Sequence, residues 1–197
     1  MVYRRCANRK GMIMQFPIVS FDPSLANFGM AALILDFETM QLSVQDLVLT
    51  ETERRVNKMV RQNSDDLRRA RDIHATYTKF AQRGKIAFVE IPTGAQSARA
   101  AFAFGATVGL LAACPVPIIQ LQPSEVKLAT VGTKTASKEE MIEWATKKYP
   151  DAPWLRTKAG RLLNSNEHLA DAVAIAHAGI VTDQFLQLVA MIRKNAA

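Results

Sequence analysis

The sequence predicts an α/β protein: a mixed five-stranded sheet, part antiparallel meander and part parallel crossover, with helices on its faces. Two observations carry this. Three apolar runs near the start follow one another across short links, as a meander does. Further on, strand-like runs alternate with helix-length segments, as parallel crossovers require. A third observation bounds the architecture: 197 residues, 49% hydrophobic and 22% charged, are enough for one well-buried domain and tight for two. The domain is placed at 16–197, behind a basic extension at 1–15.

Residues 16–22 (FPIVSFD) are a short apolar run ending in Asp22 and read as a buried strand. Asp22-Pro23-Ser24 turns, Asn27-Phe28-Gly29 turns again, and 30–35 form a second strand. After a hairpin at 36–40, residues 42–49 alternate with one slip (Leu42 and Val44, then Leu47 and Leu49) as a half-exposed third strand. Thr50-x-x-Glu53 has the pattern of a capping box, so a helix is expected from about 51 to about 82, kinked or broken near 63–66 and ended by Gly84. Residues 85–91 (KIAFVEI) are a buried fourth strand carrying Glu90, terminated by Pro92 and Gly94. An Ala-, Gly- and Phe-rich helix covers 97–113, a fifth strand 116–122 and a short helical turn 124–130. Ser137-x-x-Glu140 opens a helix to about 149. A loop at 151–160 holds two basic side chains and Trp154. Asn164-x-x-Glu167 opens a helix through 179, and an amphipathic helix follows at 181–194. The order β-β-β-α-β-α-β followed by helices lets a strand of the meander lie beside one of the crossover part, which brings Asp22 near Glu90.

Charge is unevenly placed. The net charge is +7; residues 1–16 carry four cations and no anion, 51–85 carry ten Lys/Arg against five Asp/Glu, and 120–161 carry eight against five. Residues 17–50 and 162–197 are net acidic. Basic elements around acidic ones suit a phosphate-binding surface surrounding a cation pocket. No apolar run reaches the roughly 18 residues needed to span a bilayer, and residues 1–16 lack the apolar core of a signal peptide. Two cysteines, Cys6 and Cys114, lie far apart, which fits a reducing compartment and no disulfide framework.

Asp22 alone reads as an Asp-Pro turn at a strand end. Glu90 is harder to place passively, because a lone carboxylate inside an apolar strand needs a cation, a proton or a core Arg. His168 and Asp171 are three apart and share a helix face, and Glu167 shares it too. Glu167 is also the fourth residue of the Asn164 box, so His168 is favoured as the fourth ligand. His177 lies on the apolar side near the helix end and reads as a packed or capping histidine. Carboxylates from two strands and a helix suit a hard divalent ion, Mg²⁺ with Mn²⁺ as substitute, whereas zinc wants more His or Cys. Two ions about 4 Å apart can serve phosphodiester hydrolysis.

These motifs resemble, in order and spacing, the RuvC family of Holliday junction resolvases in the ribonuclease H-like superfamily, from about residue 16 to 179. Residues 21–29 (FDPSLANFG) are similar to the family's first-strand motif, with Ser24 in place of a Gly. Val89-Glu90 matches the second acidic position, Pro123-x-x-Val126-Lys127 with Gly132 and Lys138 a basic segment, and residues 171–176 (DAVAIA) the final motif. The resemblance implies a nuclease of ribonuclease H-like fold whose Asp22, Glu90, His168 and Asp171 bind metal. It implies that Lys127 and Lys138 lie beside the scissile phosphate, Lys138 as part of the catalytic set, with Lys134 assigned to DNA binding beside them. It further implies a crossover junction endodeoxyribonuclease acting on four-way DNA as a homodimer, for which helix 97–113 is the interface expected. The compartment expected is the cytoplasm of a bacterial or phage-infected cell, with no membrane association. Two features depart from the pattern. His168 stands where many resolvases have a carboxylate, although His occurs there in some and in related CRISPR nuclease domains. Thr93 stands where an aromatic residue touches junction bases; Phe102 and Phe104, the nearby substitutes, read first as core residues. Other branched or hybrid substrates, or a DNA-binding module without catalysis, are the alternatives.

Overall fold

The structure, a computed structural model, describes residues 15–55, 61–91 and 94–196. The basic extension, Pro92 and Thr93 fall outside the described residues. Three strands come first: β1 (Gln15–Asp22), β2 (Asn27–Asp36) and β3 (Gln41–Glu51). Then follow α1 (Gln62–Ala81), β4 (Ile86–Glu90), α2 (Ala98–Ala112) and β5 (Ile118–Leu121). Four helices complete the chain: α3 (Pro123–Thr130), α4 (Lys138–Lys148), α5 (Asn166–Gly179) and α6 (Asp183–Ala196). None of the described helices alone is long and apolar enough to cross a membrane.

The sheet order is β3-β2-β1-β4-β5. β1 pairs antiparallel with β2 and parallel with β4; β2 pairs antiparallel with β3, and β4 parallel with β5. The meander and the crossover part therefore meet at β1, as expected. The slip read in the third strand is real: Ala32 faces Asp46 but Leu33 faces Val44, a bulge on β3.

Strand alternation sorts the side chains onto two faces. Ile18, Ala31, Leu33, Leu35, Ile86 and Phe88 pack under α5 and its neighbours. Val19, Phe21, Phe28, Met30, Ala87 and Val89 pack against Ile73, Tyr77 and Phe80 of α1 and Leu110 and Leu111 of α2. The central helix α5 is apolar along most of its length because most of it is buried: Leu169, Ala170 and the run 172–176 are at most 1% exposed, while Glu167, His168, Asp171 and His177 are partly buried. Two glycines let it lie close to the sheet. A Cβ on Gly179 would overlap the Phe88 ring, and one on Gly29 would overlap the His168 carbonyl. The Ser20 hydroxyl adds a tie, donating to the Ala172 carbonyl at 2.6 Å.

Three local expectations are corrected. Thr50 does not cap a helix: β3 runs on to Glu51 because β2 begins early, at Asn27, and the ladder pairs Asn27 with Glu51 and Phe28 with Thr50. A two-strand ladder satisfies more backbone than a cap, and α1 starts only at Gln62, with 63–66 in its first turn. Gly29 sits within β2, where it accommodates α5, and turns nothing. Asn164 does not cap α5, which begins at Asn166 after Ser165 without a side-chain cap. The Ser137 box is present, with Ser137 Oγ accepting from Glu140 N–H and Glu140 accepting from Ser137 N–H.

Candidate metal and DNA site

The fold brings three predicted carboxylates to one edge of the sheet. In β1, Asp22 has the same parity as Ile18 and Ser20; in β4, Glu90 has the same parity as Ile86 and Phe88. Both therefore lie on the α5 face. Phe21 pairs with Val89, so Asp22 and Glu90 are the next residues along two adjacent parallel strands, at their C-terminal ends. That edge is where ligands gather in sheets of this kind. The first turns of α5 lie over it, because His168 crosses Gly29, the ladder partner of Asp22. Asp171 follows one turn later on the same helix face.

Direct contact and electrostatics show how the group is coupled. His168 Nδ1 lies 3.0 Å from Asp22 Oδ2, with both side chains about a quarter exposed. That bond raises the imidazole above its ordinary range, against the opposing effect of burial. Burial, then the charge of Asp22, pushes Glu90 up to about 7, while Lys127 pulls it back. Burial, followed by the charges of Asp22, Glu90 and Glu167, pushes Asp171 up to about 7. Each acid thus feels the others, and the site holds more negative charge than its own cations balance.

The basic residues divide. Lys127, on α3 directly after β5, is half-buried and close enough to Glu90 to act on it. Lys138 starts α4 and pairs with Glu167 at 2.5 Å; the ammonium is 72% exposed and the carboxylate 25%. Lys138 also feels Asp171. Lys134 is exposed and makes no ion pair among the described residues. The capping role expected of Glu167 is corrected: α5 has no side-chain cap, and the Glu167 carboxylate pairs with Lys138. His177 sits beside Trp144 and Tyr149, and burial lowers it to about 4, as a packed histidine. Phe102 is corrected: it is 47% exposed on α2, under the Arg99 guanidinium, and does not belong to the core.

Sequence reasoning missed the support around Asp22. Ser24 Oγ accepts from Asn27 N–H at 2.9 Å and donates to its carbonyl at 2.7 Å, closing the turn after Asp22-Pro23. Arg69, 5% exposed, donates to the Leu25 carbonyl and to Thr52 Oγ1, each at 3.0 Å. Thr52 donates from its hydroxyl to Leu25 O at 2.5 Å and from its N–H to Ala26 O at 2.8 Å. The signal was an Arg placed among the apolar positions of a helix, which needs partners to be buried.

A hard divalent ion fits the donor chemistry: three carboxylates with an imidazole, and two of the acids displaced upward by burial and then by neighbouring negative charge. Among the described residues no three His, Cys, Asp or Glu side chains already close on one point. Asp22 Oδ2 is instead turned to His168.

No family model and no curated protein matches the chain. Solved structures do. Thermus thermophilus RuvC in complex with Holliday junction substrate is similar over 83% of this chain and 92% of that one, with TM-score 0.61 and 20% identity. Thermus thermophilus RuvC alone matches over 84% and 92%, with TM-score 0.56 and 21% identity. The Fowlpox virus resolvase with substrate Holliday junction DNA matches over 84% and 99%, with TM-score 0.51 and 12% identity. The likeness is one of fold: the mixed five-stranded sheet is the ribonuclease H-like arrangement of the RuvC-type resolvases.

Proposed function

We propose that this chain is a divalent-metal-dependent endonuclease that resolves four-way DNA junctions by paired phosphodiester hydrolysis. The observation that supports it most is the convergence of Asp22, Glu90, His168 and Asp171 at one sheet edge beside Lys127. The names of the structural neighbours, both RuvC and the poxvirus resolvase seen with junction DNA, support the choice of substrate.

Asp22, Glu90, Asp171 and His168 would hold the metal, Mg²⁺ or Mn²⁺, as two ions. Bound there, it would supply positive charge to offset the phosphate and would lower the pKa of a water. The protein's own groups do the rest. Asp22 holds Nδ1 of His168, which leaves Nε2 to bind an ion or to accept a proton. Lys127 and Lys138 supply positive charge where the phosphate becomes more negative. The Lys138–Glu167 pair anchors the start of α4 to the start of α5.

Two nicks on opposing strands need two sites, so the reading includes a homodimer. α2 offers the face for it. Ala101, Phe102, Gly105, Val108, Gly109 and Ala112 are exposed at helical spacing, and nothing lies within 4 Å of a Cβ built on Gly105 or Gly109. Small residues in such a stripe permit close helix approach.

The test is incubation with a synthetic four-way junction in Mg²⁺ or Mn²⁺, resolved on a denaturing gel. Paired cuts in opposing strands are expected from the native chain and none from Asp22→Asn, which still binds. No cleavage of any branched DNA by folded protein in either metal overturns the reading. Cleavage of flaps or hybrids but not junctions replaces the substrate and keeps the chemistry.

A further inference from the structure

Between α4 and α5 the chain makes a hairpin that the carboxylate site does not use. Arg156 and Leu162 form its bridge; Leu163 N–H donates to Leu155 O at 3.0 Å, and Thr157 N–H to Arg161 O at 2.8 Å. At the tip Gly160 takes φ +81°, a conformation that favours glycine, and donates to Thr157 O at 2.9 Å. One side chain clamps the base. Asn166, fully buried, donates from Nδ2 to the carbonyls of Leu155 at 2.7 Å and Leu163 at 2.9 Å, and accepts from Leu155 N–H at 2.8 Å. Next to it Trp154 is buried, its indole N–H donating to Tyr149 O at 2.8 Å. The hairpin is therefore built and anchored. Asn166 is also the first residue of α5, two before His168, so the hairpin is held to the same helix turn as the site.

Its charge is of one sign. Residues 152–166 contain Arg156, Lys158 and Arg161 and no Asp or Glu. All three cations are exposed, and none forms an ion pair among the described residues. Arg156 donates to the Gly160 carbonyl at 2.9 Å, which orients its guanidinium along the hairpin. A surface serving only solubility would intersperse both signs. Three cations on a preorganised arm can engage a polyanion with little ordering cost.

We propose that the 155–163 hairpin is a DNA-gripping arm whose Arg156, Lys158 and Arg161 contact backbone phosphates flanking the cut, with Asn166 holding it in register with α5. The arm rests on the nuclease reading above. It reads no sequence, because phosphate contacts position a protein on DNA without reporting base identity.

The experiment measures binding of a labelled four-way junction by the Asp22→Asn chain, as fluorescence anisotropy over a range of salt. Replacing Arg156, Lys158 and Arg161 by Gln is expected to make the log–log salt slope shallower by about 2 to 3, or about 0.9 for each phosphate no longer neutralised. Affinity at about 100 mM salt is expected to fall about tenfold or more. Each single Gln variant is expected to remove about a third of the slope change, and R156K/R161K, which keeps the charge, to retain the slope. A triple variant with native melting but unchanged slope and affinity overturns the arm and leaves the nuclease reading standing. A native chain that binds no branched DNA overturns both.

Discussion

His168 Nδ1 and Asp22 Oδ2 stand 3.0 Å apart, across 146 residues of sequence and two elements of different type. The contact exists because Gly29, the ladder partner of Asp22, leaves room for the backbone of α5 at His168. A histidine placed this way has one ring nitrogen fixed by a carboxylate and the other left for chemistry. Replacing it by Ala is expected to reduce junction cleavage by about 100-fold or more. Glu167→Ala, which frees only Lys138, is expected to stay within about tenfold of native. Gel-based cleavage rates decide between them, and the opposite ranking would make Glu167 the ligand. His168→Asp tests whether a carboxylate can serve at this position.

The raised acids predict how stability varies with pH in metal-free protein. Glu90 and Asp171 rise from ordinary values of 4.5 and 3.8 to about 7, so the folded state binds protons more tightly than the unfolded one. Their contribution is fully present below the unfolded values and is lost as pH rises through about 7. His168, raised by Asp22, acts in the same direction: its stabilisation is present below its ordinary 6.5 and lost as pH rises through its folded value. Asp65 and Asp66 are lowered, so their contribution is lost only in acid, below 3.8. His177, lowered to about 4 by burial, acts in the opposite direction up to its ordinary 6.5, so the melting temperature in EDTA is expected to fall from about pH 6.5 toward pH 8, where the raised groups ionise. Mg²⁺ or Mn²⁺ is expected to raise it more at pH 8 than at pH 6, since binding an ion requires the ionised acids. A metal-free melting temperature that climbs from about pH 6.5 to 8 contradicts the coupling.

Gly29→Ala tests the close approach itself. The added Cβ meets the His168 carbonyl, a backbone atom that can move only with α5. The expected cost is about 1–3 kcal/mol in urea denaturation, as for other overpacked sites. Cleavage is expected to fall well beyond that loss of stability, because the shift displaces His168 from Asp22. A variant of native stability and native activity shows that α5 can accommodate the methyl.

The framework of this site was legible because its signals are periodic. The apolar runs at 16–22 and 85–91 gave two buried strands carrying Asp22 and Glu90, the order of elements set those strands side by side, and the three-residue spacing of His168 and Asp171 gave their shared helix face. The bulge at Val44–Leu47 was visible as a slip in the alternation of 42–49. The misreadings are local signals overruled by long-range ones. Thr50-x-x-Glu53 is a sound cap pattern, but Asn27 and Phe28 recruit those residues into a ladder. Glu167 occupies a capping position, yet Lys138, 29 residues earlier, takes its carboxylate. Phe102 reads as core by residue type, and only the packing of α2 through Leu110 and Leu111 shows that it faces outward.

Arg69 is a positioning residue for Asp22. Its guanidinium holds the Leu25 carbonyl and Thr52, which fix the segment directly after Asp22-Pro23-Ser24, and Asp66 lies 3.8 Å away, also paired with Arg99 of α2. Arg69→Met removes one of the two donors to the Leu25 carbonyl, the Thr52 hydroxyl being the other, and one of the two cations beside buried Asp66, and is expected to cost about 1–3 kcal/mol in denaturant unfolding. Below the melting transition it is expected to weaken the metal dependence of cleavage, raising the Mg²⁺ needed for half-maximal rate by about tenfold. Arg69→Lys, which keeps the charge but loses the fork, is expected to recover part of both. A Met variant with native Mg²⁺ requirement would reduce Arg69 to a purely structural part.

The exposed face of α2 gives the last test, of assembly. Gly105 and Gly109 have open space beyond them, so a large side chain there fits the isolated subunit and is expected to leave its melting temperature nearly unchanged. If two copies pack through this face, Gly105→Arg places a charge between them and is expected to shift the sedimentation coefficient from dimer to monomer. The two cuts on a junction should then lose their coupling, so that singly nicked junctions accumulate on a native gel while total nicking persists. Gly105→Ala, a smaller change on the same stripe, is expected to weaken dimerisation without abolishing it. A Gly105→Arg chain that still sediments as a dimer and cuts both strands together moves the interface away from α2.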